Sequence, residues 1–185
     1  MRLILLGAPG SGKGTQAEFL AAGMGVLSIS TGEMLRDAVA AGTDLGNKVR
    51  AIMATGELVD DETMADVVRE RLGQSDAAAG FILDGYPRTL GQADTLASIL
   101  EQKDWSLDAV VYIEVPEDEL IQRALARQRA DDQDEVIRQR QRVYRQQTQP
   151  LIDHYRVQGL LCEIDGHQTI DEVAKSVAAA LEVTR

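Results

Sequence analysis

The sequence predicts an α/β fold: a P-loop three-layer sandwich in which a five-stranded parallel sheet carries helices on both faces. Three observations predict it. Short apolar runs alternate with longer amphipathic stretches along the chain, as parallel strands linked by crossover helices require. The first apolar run, Leu3 to Leu6, breaks into Gly7-Ala-Pro-Gly-Ser-Gly-Lys-Gly-Thr15 and then into helix-forming sequence, so the glycines fall at a strand-to-helix turn. The third run, Phe81-Ile-Leu-Asp84, is apolar until its last residue and delivers a carboxylate to the carboxyl edge of the sheet, where ligands bind in open α/β folds.

The glycine-rich turn is the first element to justify. Gly7-x-x-x-x-Gly12-Lys13 has P-loop spacing. Glycines remove the Cβ atoms that would block a phosphate, the helix that follows points its partially positive end at the same spot, and Lys13 adds a full charge. Gly10, Ser11, Gly12, Lys13, Gly14 and Thr15 are therefore expected around phosphates. The residue after the lysine, which in most such loops is a hydroxyl ligand of Mg²⁺, is Gly14. A metal here is expected to be held mainly by phosphate oxygens and water, with Thr15 left to bond a phosphate. A glycine-rich turn with an exposed lysine is the bland alternative, and the agreement of strand, spacing and helix speaks against it.

Val26 to Ser30 reads as a second strand, after which Ser30 or Thr31 can cap a helix ending at Gly42. A helix from about Leu45 to Ala54 stops at Gly56, and Leu58-Val-Asp-Asp-Glu62 leads through a capping signal into a third helix. One helix suffices to cross back to a parallel strand, so the extra pair reads as an insertion. After strand three come a helix over Thr89 to Gln102, a strand over Ala109 to Val115 closed by Pro116, and a helix from Glu117 to about Arg127. A polar break at Gln128 to Gln133 precedes a long helix from Asp134 to about Val157, then a strand over Leu160 to Ile164 and a helix over Thr169 to Leu181.

At 185 residues one domain can bury its core without disulfides, and Cys162, the single cysteine, reads as a reduced core residue. No signal sequence or membrane-length run is seen, so a cytoplasmic protein without a membrane partner is expected. The net charge of −11 argues against a nucleic-acid partner. Its four lysines stand against fifteen arginines, seven of them between Arg123 and Arg145. Concentrated guanidinium in an acidic chain suits a small phosphorylated ligand in a cleft, although a salt-bridged helical surface accounts for part of it. At about 100° per residue, Ile137, Gln141, Tyr144, Thr148, Leu151 and Tyr155 form one stripe of the long helix, with Arg140 within about 60° of its centre. Arg140 therefore faces the body, while Arg138, Arg142 and Arg145 point to solvent. Arg123 and Arg127 share one helical edge and can aim at the same phosphates. Asp84 is the candidate Mg²⁺ residue, through water, and Arg88 sits four residues past it where a phosphate would arrive. His154 and His167 read as surface and loop residues, and Trp105 as packing.

Gly7 to Thr15, Ser30-Thr-Gly-Glu-Met-Leu-Arg36, Asp84-Gly-Tyr-Pro-Arg88 with Gln92, and Arg129-Ala-Asp-Asp132 followed by Arg140 together resemble the adenylate kinase family, in its bacterial short-lid form. The resemblance runs from Met1 to the last helix. It implies reversible phosphoryl transfer from Mg-ATP to AMP, giving two ADP, by a monomer that uses Mg²⁺ and, lacking the cysteines and lid length for it, no zinc. It implies a core of residues 1–29, 60–127 and 134–185, a monophosphate-binding insertion at 30–59 and a lid at 128–133. Lys13, Arg88, Arg123, Arg127, Arg129 and Arg140 become the catalytic cations, with Arg123, Arg127 and Gln168 joining the loop around ATP. Thr31, Arg36, Met53, Glu57, Leu58, Val59, Gly85, Tyr86, Pro87, Arg88, Gln92, Arg129 and Arg140 would surround AMP, with Gln92 similar to the residue that reads adenine. Asp131 and Asp132 match the motif without a derivable role. Alternatives are a CMP or UMP kinase, a nucleotide-binding regulator, or a kinase for a small non-nucleotide acceptor; arginines for two phosphate groups argue against the regulator.

Overall fold

The computed structural model describes residues 1–126 and 133–183. Five parallel strands, β1 (Arg2–Leu6), β2 (Leu27–Ser30), β3 (Phe81–Asp84), β4 (Ala109–Glu114) and β5 (Leu161–Asp165), form one sheet in the order β2-β3-β1-β4-β5. The register pairs Leu5 with Asp84 and with Val111, so β1 and β3 end side by side and open their following loops to the same edge. β1 and β3 are central and almost wholly apolar, as strands covered on both faces must be.

Helices α1 (Lys13–Met24), α2 (Thr31–Ala41), α3 (Asp44–Thr55), α4 (Asp61–Leu72), α5 (Leu90–Gln102), α6 (Glu117–Ala126), α7 (Asp134–Val143), α8 (Pro150–Val157) and α9 (Ile170–Val183) complete the described elements, with a 3₁₀ turn at Ser75–Ala79. The two sheet faces carry separate cores. Ile4, Leu6, Phe81 and Leu83 pack with Val68, Leu72, Leu96 and Tyr155 on one side, and Leu3, Leu5, Ile82 and Val111 pack with Ala17, Leu20 and Val177 on the other. Odd and even residues of β1 divide between the two, as the two-residue strand period dictates. Helix ends follow local chemistry: the Thr43, Asp60 and Thr89 side chains accept from the backbone N–H three residues on, at the starts of α3, α4 and α5.

The expected single helix over Asp134 to Val157 is instead two helices joined by a π turn at Tyr144–Thr148. Pro150 has no N–H to donate back into a helix, and the ladder before it widens, with Gln149 N–H donating to Tyr144 O at 2.9 Å. The apolar stripe survives: Ile137, Gln141, Thr148, Leu151 and Tyr155 are buried and Tyr144 is half-buried. Arg138, Arg142 and Arg145 are exposed and bonded to Asp134, Gln139 and Glu117. Cys162 is half-buried at the edge of the core rather than inside it, because β5 is the outermost strand. Trp105 packs against Phe81 with the Arg2 guanidinium 4.6 Å from its ring.

Candidate active site

A cleft of about 710 Å³ opens along the carboxyl edge of the sheet. It is lined by the loop after β1, the start and end of the α2–α3 pair, the loop after β3, and residues of α6, α7 and the β5–α9 loop.

The loop after β1 forms the first anion site. Gly12 caps α1 in the left-handed region at φ 91°, a conformation only glycine adopts without cost, and the space where its Cβ would stand is open. No acidic side chain of α1 itself occupies its first turn, so the helix does not neutralise its own N-terminal dipole. Lys13 Nζ folds over the loop and donates to Gly7 O at 2.8 Å and Ala8 O at 3.0 Å. Ser11 is buried, whereas Gly10, Gly14 and Thr15 also line the cleft. A Cβ on Gly14 would stand 3.6 Å from Asp84 Oδ2, so the carboxylate at the end of β3 lies directly beside the loop.

The second anion site is built from arginines on three elements. Burial pulls the Arg88 guanidinium below its ordinary pKa, the Arg140 and Arg36 charges pull the same way, and Asp84 opposes them. Like charges gathered in a half-buried pocket are unfavourable unless an anion joins them. Arg88 Nε donates to Gly85 O at 2.8 Å, which fixes the guanidinium over the turn. Gly85 has φ +84°, and a Cβ there would meet Thr31 Oγ1 at 2.8 Å and Arg88 Nη2 at 3.1 Å. Thr31 in turn donates to Asp84 O. Met53, Glu57, Leu58, Val59, Pro87 and Gln92 close this end.

Arg123 and Gln168 reach the cleft at its other end, beside the first anion site. Arg123 donates to Gly166 O at 3.0 Å and pairs with Glu119, whose other oxygen meets His167. Those two partners hold the Glu119 carboxyl below its usual range, the His167 contact contributing most.

Tyr86 is the one described residue of the expected set that the structure does not bring to the cleft. Its ring is buried in the core, its hydroxyl has no hydrogen-bond partner among the described residues, and burial pushes its pKa up to about 12. A motif marks which turn faces the ligand, but strand-end geometry decides which side chains turn inward. Arg127, Arg129, Asp131 and Asp132 lie outside the described residues.

Two supporting residues, Gln141 and Thr148, show in the sequence only as members of the buried stripe. Gln141 Nε2 donates to Pro9 O at 2.8 Å and Thr148 Oγ1 donates to Arg88 O at 2.8 Å, so the α7 and π-turn segment clamps the backbone of both anion sites. Their buried polar side chains on an otherwise apolar stripe were the available signal.

The Adenylate kinase family model matches residues 5–160. This chain belongs to the adenylate kinase family. It is 44% identical to the adenylate kinase of Archaeoglobus fulgidus, 46% to that of Corynebacterium urealyticum and 49% to that of Synechococcus sp., each match covering at least 97% of this chain and 98% of the relative. The alignment with the archaeal adenylate kinase spans 213 residues against 185 here, so that relative carries sequence this chain lacks. Two adjoining anion sites are what a kinase of one nucleotide by another demands.

Proposed function

We propose that this adenylate kinase moves the γ-phosphoryl group of Mg-ATP to AMP, reversibly giving two ADP. The observation that carries the reading is a single cleft with a P-loop at one end and three converging guanidinium groups at the other.

In-line phosphoryl transfer needs little covalent chemistry from the protein; it needs two phosphate groups held in register, cations where negative charge spreads, and exclusion of water. The loop from Gly10 to Thr15 and Lys13 hold the donor phosphates, with Arg123, Arg127 and Gln168 on the ATP side. Thr31, Arg36, Met53, Glu57, Leu58, Val59, Gly85, Pro87, Arg88, Gln92, Arg129 and Arg140 receive AMP. Lys13 leaves its loop carbonyls for the transferring group, and Arg88 and Arg140 meet it from the acceptor side. The acceptor phosphate is ionised at neutral pH, so no general base is required.

Among the described residues no three His, Cys, Asp or Glu side chains converge as a metal site. The site would suit an ion carried in by the nucleotide, with the Asp84 carboxylate beside Gly14 as the protein group that would hold it through water. Bound there, Mg²⁺ neutralises charge on the donor phosphates. We place the acceptor-binding arm at residues 30–59 and the lid at 128–133, read the enzyme as a monomer by its resemblance to the family, and read it as cytoplasmic by its single cysteine.

A panel of acceptors tests the reading. ATP with AMP yields two ADP, and GMP, CMP and UMP are far poorer acceptors. Equal rates with CMP or UMP overturn the acceptor assignment, and ATP hydrolysis without acceptor phosphorylation overturns the reaction.

A further inference from the structure

Gln92 is 1% exposed although it lines the cleft, and both ends of its carboxamide are already engaged. The backbone N–H of Arg88 donates to Gln92 Oε1 at 2.7 Å, and Gln92 Nε2 donates to Asp61 Oδ1 at 2.9 Å. These partners are chemically one-way. A peptide N–H can only donate and an ionised carboxylate can only accept, so the amide has one permitted orientation. Reversing it would set N–H against N–H at Arg88 and oxygen against carboxylate at Asp61.

We propose that Asp61 is a specificity-determining positioning residue: it fixes the polarity of Gln92 so that the site accepts a purine with a 6-amino group and rejects a 6-oxo purine. The inference rests on the reading that Gln92 faces the base. After its two protein bonds, Gln92 keeps one free lone pair on Oε1 and one free N–H on Nε2, side by side. Adenine offers the matching edge, a donor at the 6-amino group and an acceptor at N1. Hypoxanthine and guanine offer the reverse, a 6-oxo acceptor and an N1–H donor, and would be satisfied in the same pose only by a reversed amide. The lock prevents that reversal and leaves the wrong base with two opposed dipoles.

Two further contacts hold Asp61 itself. Thr89 Oγ1 donates to Asp61 Oδ2 at 2.8 Å, and the same hydroxyl accepts from Gln92 N–H at 3.1 Å as the cap of α5. Gly91 leaves room for the carboxylate, since a Cβ there would stand 2.9 Å from Asp61 Oδ2. Asp61 thus reaches across from the start of α4 to the first turn of α5.

The test compares AMP with inosine monophosphate, which differs only at the reading edge, in wild type, Asp61→Asn and Gly91→Ala. Asp61→Asn keeps the shape and gives the position both a donor and an acceptor; Gly91→Ala keeps the carboxylate and pushes it off Gln92. The wild type prefers AMP in kcat/KM on the order of 10⁴-fold, and both variants lower the preference at least about tenfold with the KM for ATP unchanged. If turnover with the two acceptors falls in parallel and the ratio stays constant in the folded variants, Asp61 is only structural and the proposal is overturned. Should Asp61→Asn fail to fold, the Gly91→Ala ratio decides alone. A wild type that phosphorylates both acceptors equally overturns this inference but not the kinase reading; one that phosphorylates neither overturns the acceptor reading beneath it.

Discussion

Replacing Arg88 by Met separates what the arginine cluster does for binding from what it does for folding. Arg88 contributes one hydrogen bond to Gly85 O, worth about 1 kcal/mol, and pays for a half-buried charge beside Arg36 and Arg140 that Asp84 only partly offsets. The two effects oppose each other. Stability is therefore expected to change by no more than about 1 kcal/mol, or roughly 2–4 °C in Tm for a domain of this size. The catalytic loss is of another order: a guanidinium that meets the transferring phosphoryl group is worth roughly 10³ to 10⁵ in rate, or about 4 to 7 kcal/mol. Thermal melts and ADP formation from ATP and AMP give the two numbers on one preparation. Saturating AMP at about 100 times its Kd should stabilise the wild type by about 2.7 kcal/mol and leave the variant nearly unmoved. A variant that keeps kcat/KM for AMP within about tenfold, or that loses activity only because it unfolds, refutes the reasoning.

Other perturbations probe the supports. Gly85→Ala meets both a positive φ and the Thr31 and Arg88 side chains, so it should cost roughly 1–3 kcal/mol in urea melts and raise the KM for AMP by displacing Arg88. Thr148→Val removes the hydroxyl bonded to Arg88 O, and the KM for AMP should rise several-fold while that for ATP stays put. Asp60→Ala should cost about 1 kcal/mol at pH 7 by uncapping α4. The bonds from Thr63 hold the Asp60 carboxyl below its ordinary value of 3.8, so its contribution is fully present above that pH and vanishes as pH falls through the lower folded value. Wild type and variant melting curves should accordingly converge in strong acid, and a constant gap would contradict the cap.

The parts legible in the sequence were those with local causes. Strand period, glycine chemistry and capping residues act within a few positions, and they place β3 at Phe81–Asp84, the turn at Gly12 and the N-termini of α3 to α5. Arg140 was readable as inward-facing because the helical period alone sets its angle from Ile137 and Gln141. The π turn was not, because it depends on how Pro150 is accommodated within a docked helix rather than on any local preference of Tyr144 to Thr148. The contacts that tie the site together were invisible for a different reason. Gln141 to Pro9, Thr148 to Arg88 and Gln92 to Asp61 join segments separated by 132, 60 and 31 residues, and only tertiary docking brings them within reach. Tyr86 shows the reverse case, a residue expected at the ligand whose side chain is buried in the core instead.

We propose that the P-loop and the arginine cluster are two halves of one transfer site. Following label from γ-phosphate-labelled ATP during turnover with AMP tests it most directly. Direct transfer predicts that label leaving ATP appears in ADP, that inorganic phosphate stays unlabelled, and that Arg88→Met abolishes the transfer while ATP still binds. Label released as inorganic phosphate at the same rate with and without AMP would rule out direct transfer.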